Sequence, residues 1–225
     1  MRITEVGNQI IQCTACPRLR KHCLKTASER RRSFQDQEYW GKPITGFGDP
    51  KARLMLVGLA PAAHGANRTG RIFTGDRSGD WLFRALHRAG FANQPHSTSA
   101  DDGLQLKDAY VSCVVKCAPP DNRPTPAELD RCIPFLQQEL SCMKQVRVWI
   151  ALGQIGYHGL WPLLSRQPGH KRARPAFGHG KRIDLAEGKT LLLSYHPSQQ
   201  NTFTGRLTEV MFDSVFEQAK TLLQK

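Results

Sequence analysis

Nowhere in these 225 residues does an apolar run reach the ~20 residues of a membrane-spanning helix, and the N-terminus lacks the apolar core of a secretory signal. Both absences point to an intracellular, cytoplasmic protein. Also missing is any Pro-, Ser- or Gly-rich linker or low-complexity tract, so residues 1–225 are expected to form one domain. An apolar fraction of 40% is enough for a sizeable core and argues against disorder. Acidic residues are scarce: 19 Asp plus Glu stand against 32 Lys plus Arg, a net charge of +13. A surface that basic suits a polyanion, nucleic acid first. The seven cysteines are an odd number, which in a reducing compartment argues against a disulfide framework and for a metal, a cluster or buried thiols.

What the chain does have is one stretch around which the rest is arranged, LMLVGLAPAAHGANRTGRIFTGDRSGD from Leu54 to Asp80. Leu54 to Leu59 is short, apolar and non-alternating, the pattern of a parallel strand buried on both faces. It breaks into a loop with Gly58, Gly65, Gly70, Gly75 and Gly79, where Arg68 and Arg71 supply anion-seeking charge. Glycines alone would suit any surface loop. His64, Asn67, Phe73, Thr74 and Asp76 in the same loop indicate a ligand site.

Three further runs read as strands: Ala109 to Cys117, Val146 to Gly153 and Thr190 to His196. Between them a helix capped by Ser78 or Asp80 is expected, with Trp81, Leu82, Ala85, Leu86 and Ala89 on its apolar face and Gly90 as its stop. A second opens at the capping box Thr125-Pro126-Ala127-Glu128 and should kink at Pro134. A short helix follows over Gln154 to Leu164, and a last one from about Arg206 to Leu223. Strands alternating with helices make a parallel sheet covered on both faces, whose ligands bind beyond the carboxyl ends of the strands. The polar clusters after Leu59, after Lys116 and at His196 all fall there. Residues 166–182, with His170, Lys171, Arg172, Arg174, His179, Lys181 and Arg182, form a candidate phosphate-contacting loop, whereas Glu29 to Arg32 reads as a solvated basic face.

Cys13 and Cys16 form a C-x-x-C pair, Cys117 ends the second strand and Cys132 lies on the next helix. Four such thiolates fit tetrahedral zinc or a 4Fe-4S cluster, and spacing does not choose between them. A redox pair would need a strand-then-helix pattern that Cys13 and Cys16 lack. Cys113 reads as a buried free thiol, Cys142 follows a helix, and Cys23 is the one substitute ligand.

Assembled, these residues resemble the family 5 uracil-DNA glycosylases of the uracil-DNA glycosylase superfamily. The resemblance rests on GLAPAAHGANRTGRIFTGDRSGDW (58–81), VVKCAPPDNRPTP (114–126), SYHPSQQNTFTGR (194–206) and the four spaced cysteines. It spans nearly the whole chain. It implies a three-layer α/β/α sandwich with a four-stranded parallel sheet, and a structural 4Fe-4S cluster on Cys13, Cys16, Cys117 and Cys132, the first two from an N-terminal segment 1–45. The implied activity is DNA repair: a monofunctional hydrolase, acting as a monomer at the nucleoid, flips uracil out of DNA and leaves an abasic site. By position, Asp76, Asn122 and His196 become the catalytic set. Phe73 becomes the ring stacked on the base, with Gly58, Ala60, His64 and Cys113 around it, and Arg68, Arg71, Gln199 and Gln200 fall to the DNA. Gln199, Gln200 and Phe203 are the candidates to fill the gap a flipped base leaves.

The residue types suit the chemistry. Uracil departs as an anion while the deoxyribose gains oxocarbenium character, so the site needs a donor at the uracil oxygen and a negative charge or oriented water near the sugar. His196 is read as the donor, Asp76 as cation stabiliser or water-positioner, and Asn122 as the group that orients that water or holds the sugar. Two positions depart from the wider superfamily: Ala60 stands where many members carry an Asp or Asn, and Cys113 where related families place an Asn to read the uracil edge. A thiol reads that edge poorly, so activity on hypoxanthine or ethenocytosine is expected as well. Two rival readings remain, a non-catalytic DNA-binding module braced by a four-cysteine metal site and a metal-dependent phosphoesterase using Asp76, His64 and His196. The few carboxylates near these motifs count against the second.

Overall fold

The computed structural model describes residues 1–165 and 173–224. Two helices, α1 (Ile3–Ile11) and α2 (Pro17–Glu29), precede a 3-10 turn at Arg32–Phe34 and the short strand β1 (Phe47–Gly48). Then follow β2 (Leu54–Gly58), α3 (Ala66–Thr69), α4 (Arg77–Arg88), β3 (Ala109–Cys113), α5 (Pro126–Cys142), β4 (Val148–Leu152) and α6 (Gly153–Leu164). The chain closes with β5 (Arg182–Asp184), β6 (Thr190–Ser194), α7 (Gln199–Phe203) and α8 (Glu209–Leu223). None of the described helices is long and apolar enough to cross a membrane.

The sheet order is β1-β3-β2-β4-β6-β5. Its four inner strands are parallel, as expected, while β1 and β5 add antiparallel edges, so the sheet has six strands rather than four. Two or three residues are too few to show a periodicity, and both edges are set by pairing with a neighbour. Every residue of the inner strands is buried. The alternation of a strand then sorts them by face: Leu54 and Leu56 pack with Phe83, Phe212 and Phe216 from α4 and α8, and Met55 and Val57 with Leu19, Leu136 and Leu160 from α2, α5 and α6. The result is a three-layer α/β/α sandwich.

Several boundaries differ from the sequence reading for physical reasons. β3 stops at Cys113 because the N–H groups of Val114 and Val115 turn to the carbonyls of Gly58 and Leu59, carrying Lys116 and Cys117 across the end of β2. The cap of α4 is Asp76, not Ser78 or Asp80: its carboxylate accepts the Gly79 N–H at 3.0 Å. Thr125 and Glu128 form the expected capping box, and α5 continues through Pro134 to Cys142 as one helix. The N-terminal helices were legible but not read: Leu19, Cys23 and Thr26 recur on the buried face of α2 with helical spacing. Glu128, besides its capping role, receives the Arg18 guanidinium at 2.8 Å, which ties α2 to α5.

Candidate active site

Because the inner strands are parallel, their carboxyl ends open on one edge. The residues that follow β2, β3 and β6 enclose there an open cleft of about 1560 Å³. Ala60, Phe73, Asp76, Asn122, His196, Gln199 and Gln200 line it. Segments far apart in sequence thus bring the three expected catalytic residues to one cavity.

His196 sits two residues beyond β6, half-buried, with its carbonyl accepting the Asn201 side-chain amide at 2.8 Å. Its ring lies against the Phe73 ring, 5.9 Å between centroids and 29° from parallel. Behind it Gly153, at φ +84°, approaches so closely that a Cβ would stand 3.1 Å from the His196 Cβ. Burial pushes the imidazole down to about 4, so the ring is neutral at physiological pH and carries one N–H donor. Among the described residues neither ring nitrogen has a hydrogen-bond partner. The backbone below is held by His179: its Nδ1 accepts the Tyr195 N–H at 3.1 Å, its Nε2–H donates to the Met211 carbonyl at 3.1 Å, and its ring stacks on Tyr195. His179 was read as part of a phosphate loop and is a support for the histidine strand instead. His170, Lys171 and Arg172 of that loop lie outside the described residues.

Phe73 takes φ +53°, an uncommon conformation for an aromatic residue. That turn lays its ring over Gly58, where a Cβ would be 2.9 Å from the ring and 3.3 Å from the Cys113 sulfur. Gly58 and Cys113 therefore floor the Phe73 ring and are not part of the cleft wall. Burial pushes the Cys113 thiol up to about 12, so it is a neutral packing group. His64 also lies off the cleft, in a neighbouring groove, with Nδ1 3.1 Å from the Tyr39 hydroxyl.

Asp76 caps α4 with one oxygen, and the other lies against Gly65, where a Cβ would overlap it. Capping engages only one of the two carboxylate oxygens. Burial raises its pKa, opposed by the N–H groups of Gly79 and Ser78. Asn122 is exposed at the rim in a turn with φ +55°, and Ala60 offers no group to activate water. Gln199 and Gln200 are exposed on α7, near Phe203, 66% exposed, which lies under the Arg77 guanidinium.

The two arginines assigned to DNA are not available for it. Arg68 is buried over the Phe34 ring and bonds the His64 and Gly75 carbonyls and the Gln37 amide. Arg71 bonds Thr74, Ser97, the Ala100 carbonyl and both oxygens of Asp102. They brace the loop from inside. Burial works to raise the Asp102 carboxyl, but the bonds from Arg71 and from the Leu104, Thr98 and Ser99 N–H groups outweigh it and hold it at about 2. A carboxyl below its ordinary 3.8 contributes stability above that value and loses it as pH falls toward 2. Asp102→Asn should cost about 3–5 kcal/mol, because Arg71 stays buried without its counter-charge. Urea denaturation at neutral pH should show this loss and a smaller gap between variant and parent near pH 3.

Across the sheet, Cys13, Cys16, Cys117 and Cys132 line a second cavity of about 330 Å³. They come from the end of α1, the cap of α2, the bend after β3, and α5. Cationic groups face it: Arg20 and Arg131 lie on the wall, and Arg20 Nη1 is buried without a partner. The Lys116 N–H points at the Cys132 sulfur, 3.2 Å away. Lys116 itself forms a buried ion pair with Glu139 at 2.6 Å, bonded also to Ser112, which anchors the bend that carries Cys117. No three His, Cys, Asp or Glu side chains among the described residues converge as a single bound ion requires. Cys23 is buried off the cavity wall, with its thiol directed at the Ala118 carbonyl and lying beside the Cys117 thiol.

An α/β/α sandwich with a polar, aromatic-backed cleft at the carboxyl ends of its parallel strands is a ligand-binding α/β domain of the kind that places reactive side chains on strand-end loops. The sequence model of the uracil DNA glycosylase superfamily matches residues 45–220. A type-5 uracil-DNA glycosylase of Mycobacterium leprae is 51% identical over 222 residues, 98% of this chain and 95% of that protein. One from Thermus thermophilus is 48% identical over 93% of each chain, and one from Pyrobaculum aerophilum 41% identical over 94% of this chain and 89% of its own. The chain belongs to the uracil-DNA glycosylase superfamily, in its type-5 family.

Proposed function

We propose that the protein excises uracil from DNA, extruding the nucleotide into the cleft and hydrolysing the glycosidic bond to leave an abasic site. The observation that carries this reading is the convergence of Phe73, Asp76, Asn122 and His196 on one cleft in a chain of this family. Extrusion costs a few kcal/mol of unstacking, which binding to a basic surface offsets. Phe73 offers its face to the base, and the neutral His196 N–H donates to the uracil oxygen on which negative charge grows. The Asp76 carboxylate stabilises the cationic sugar from the α4 side. Asn122 holds the sugar or the attacking water. The cleft presents apolar Ala60 at its wall, and Cys113 stays beneath Phe73, so few groups read the base edge strictly. Hypoxanthine and ethenocytosine are accordingly further substrates.

The four cysteines fit a 4Fe-4S cluster. The supports are four thiols lining one cavity and an unpartnered Arg20 nitrogen suited to an anionic group. When bound, the cluster supplies a cross-link between the N-terminal segment, the bend after β3 and α5.

A labelled duplex with one uracil, incubated with cluster-loaded protein, should be cut only after alkali, and hypoxanthine and ethenocytosine duplexes should compete. If loaded protein binds the duplex and releases no base from any of the three, the chain is the DNA-binding module instead.

A further inference from the structure

Beside the cleft runs a second groove of about 1330 Å³ that shares Asp76, Arg77, Asn122 and Gln199 with it. One wall is α4, where Asp76 and Asp80 flank Arg77. The other is built by the segment after α2 and by the loop after β2, and presents Arg31, Phe34 and His64. The two walls differ in charge.

The polar groups of the second wall are set by a chain of contacts. The Arg31 N–H donates to the Tyr39 hydroxyl at 3.3 Å, and in the tautomer that leaves Nε2 protonated this hydroxyl gives its own proton to His64 Nδ1, 3.1 Å away. The remaining His64 nitrogen, Nε2, then carries a hydrogen and has no partner among the described residues. Burial, and then the charges of Arg31 and Arg68, lower the His64 pKa, so this ring acts as a neutral donor. Arg31 is exposed, and no described residue pairs with its guanidinium. It contrasts with Arg68, each of whose three guanidinium nitrogens bonds inside the protein, and with Arg77, which lies over Phe203. A free guanidinium and a fixed N–H on one side of a groove that opens into the reaction cleft suit one ligand class, the phosphodiester.

We propose that this groove seats the sugar-phosphate backbone of the DNA strand adjoining the extruded nucleotide, with Arg31 and the His64 Nε2–H holding a phosphate. The proposal rests on the uracil-excision reading. It assigns a substrate contact to the basic stretch Glu29 to Arg32, which otherwise reads as a solvated face.

The test is the salt dependence of binding, by fluorescence anisotropy, to a uracil-free duplex and to a duplex with an abasic site, from about 50 to 200 mM salt. Arg31→Ala should weaken both by about 3–10-fold, with a log–log salt slope shallower by about 1. Arg31→Lys should keep the slope. Lys51→Ala, at the amino end of β2 on the opposite edge of the sheet, should change nothing. An Arg31→Ala protein that matches Lys51→Ala in affinity and slope overturns the proposal. If the parent protein bound DNA but released no uracil, the excision reading would fall by itself, since the Arg31 comparison is read from binding alone.

Discussion

His196→Ala is expected to slow base release by about a hundredfold to a thousandfold while leaving affinity for a uracil-free duplex unchanged. The size follows from removing one preorganised donor aimed at a developing oxyanion, about 2.7–4 kcal/mol. The structure adds a condition on pH. With the imidazole pushed down to about 4, the ring is neutral from pH 5 upward. The parent rate should therefore show no inflection near 6.5, where an ordinary histidine titrates. A fall in rate as pH drops should instead track Asp76, whose carboxyl is raised by burial and loses its charge through that raised value. A His196→Ala rate within threefold of the parent would remove the histidine from the mechanism. An inflection near 6.5 that disappears in the variant would show that the ring works while charged.

Cys132→Ser should have the second large effect, and its readout does not need DNA. Cys132 is buried on α5, and serine is too weakly acidic to replace a thiolate ligand. The variant should lack iron, sulfide and visible absorbance. Its Tm should fall by about 5–15 °C, taking the lost cross-link as comparable to a disulfide of about 2–4 kcal/mol in a chain of this length. The Arg18–Glu128 pair should keep α2 partly docked, so the fall is not complete unfolding. Cys23→Ser, outside the cavity wall, should keep its full iron content. Parent protein purified with one zinc and no iron would refute the cluster, and full iron in Cys132→Ser would refute the ligand set.

Much of this architecture was legible from local pattern. The four inner strands showed as apolar runs because each is buried on both faces, and Thr125 announced α5 because capping is local chemistry. The three polar motifs pointed to one edge because parallel strands share their carboxyl ends. The errors have a common cause. Arg68 and Arg71 were assigned to DNA from residue type and loop position, yet their partners include Gln37, Ser97 and Asp102, about 30 residues away. Cys113 was set at the base edge by the resemblance, which puts it where related families carry an Asn, but the positive φ of Phe73 lays a ring over it.

Residue order alone therefore determined the alternation of strands and helices, the basic character, the four spaced thiols and the three polar motifs, all properties carried by neighbours a few positions apart. Only the tertiary structure decided which guanidinium is free, that His196 is neutral, that Asp76 serves as a cap as well, and that four thiols from distant segments share a cavity. Those properties depend on burial and on partners brought together by folding, and neither is encoded at the position where it acts.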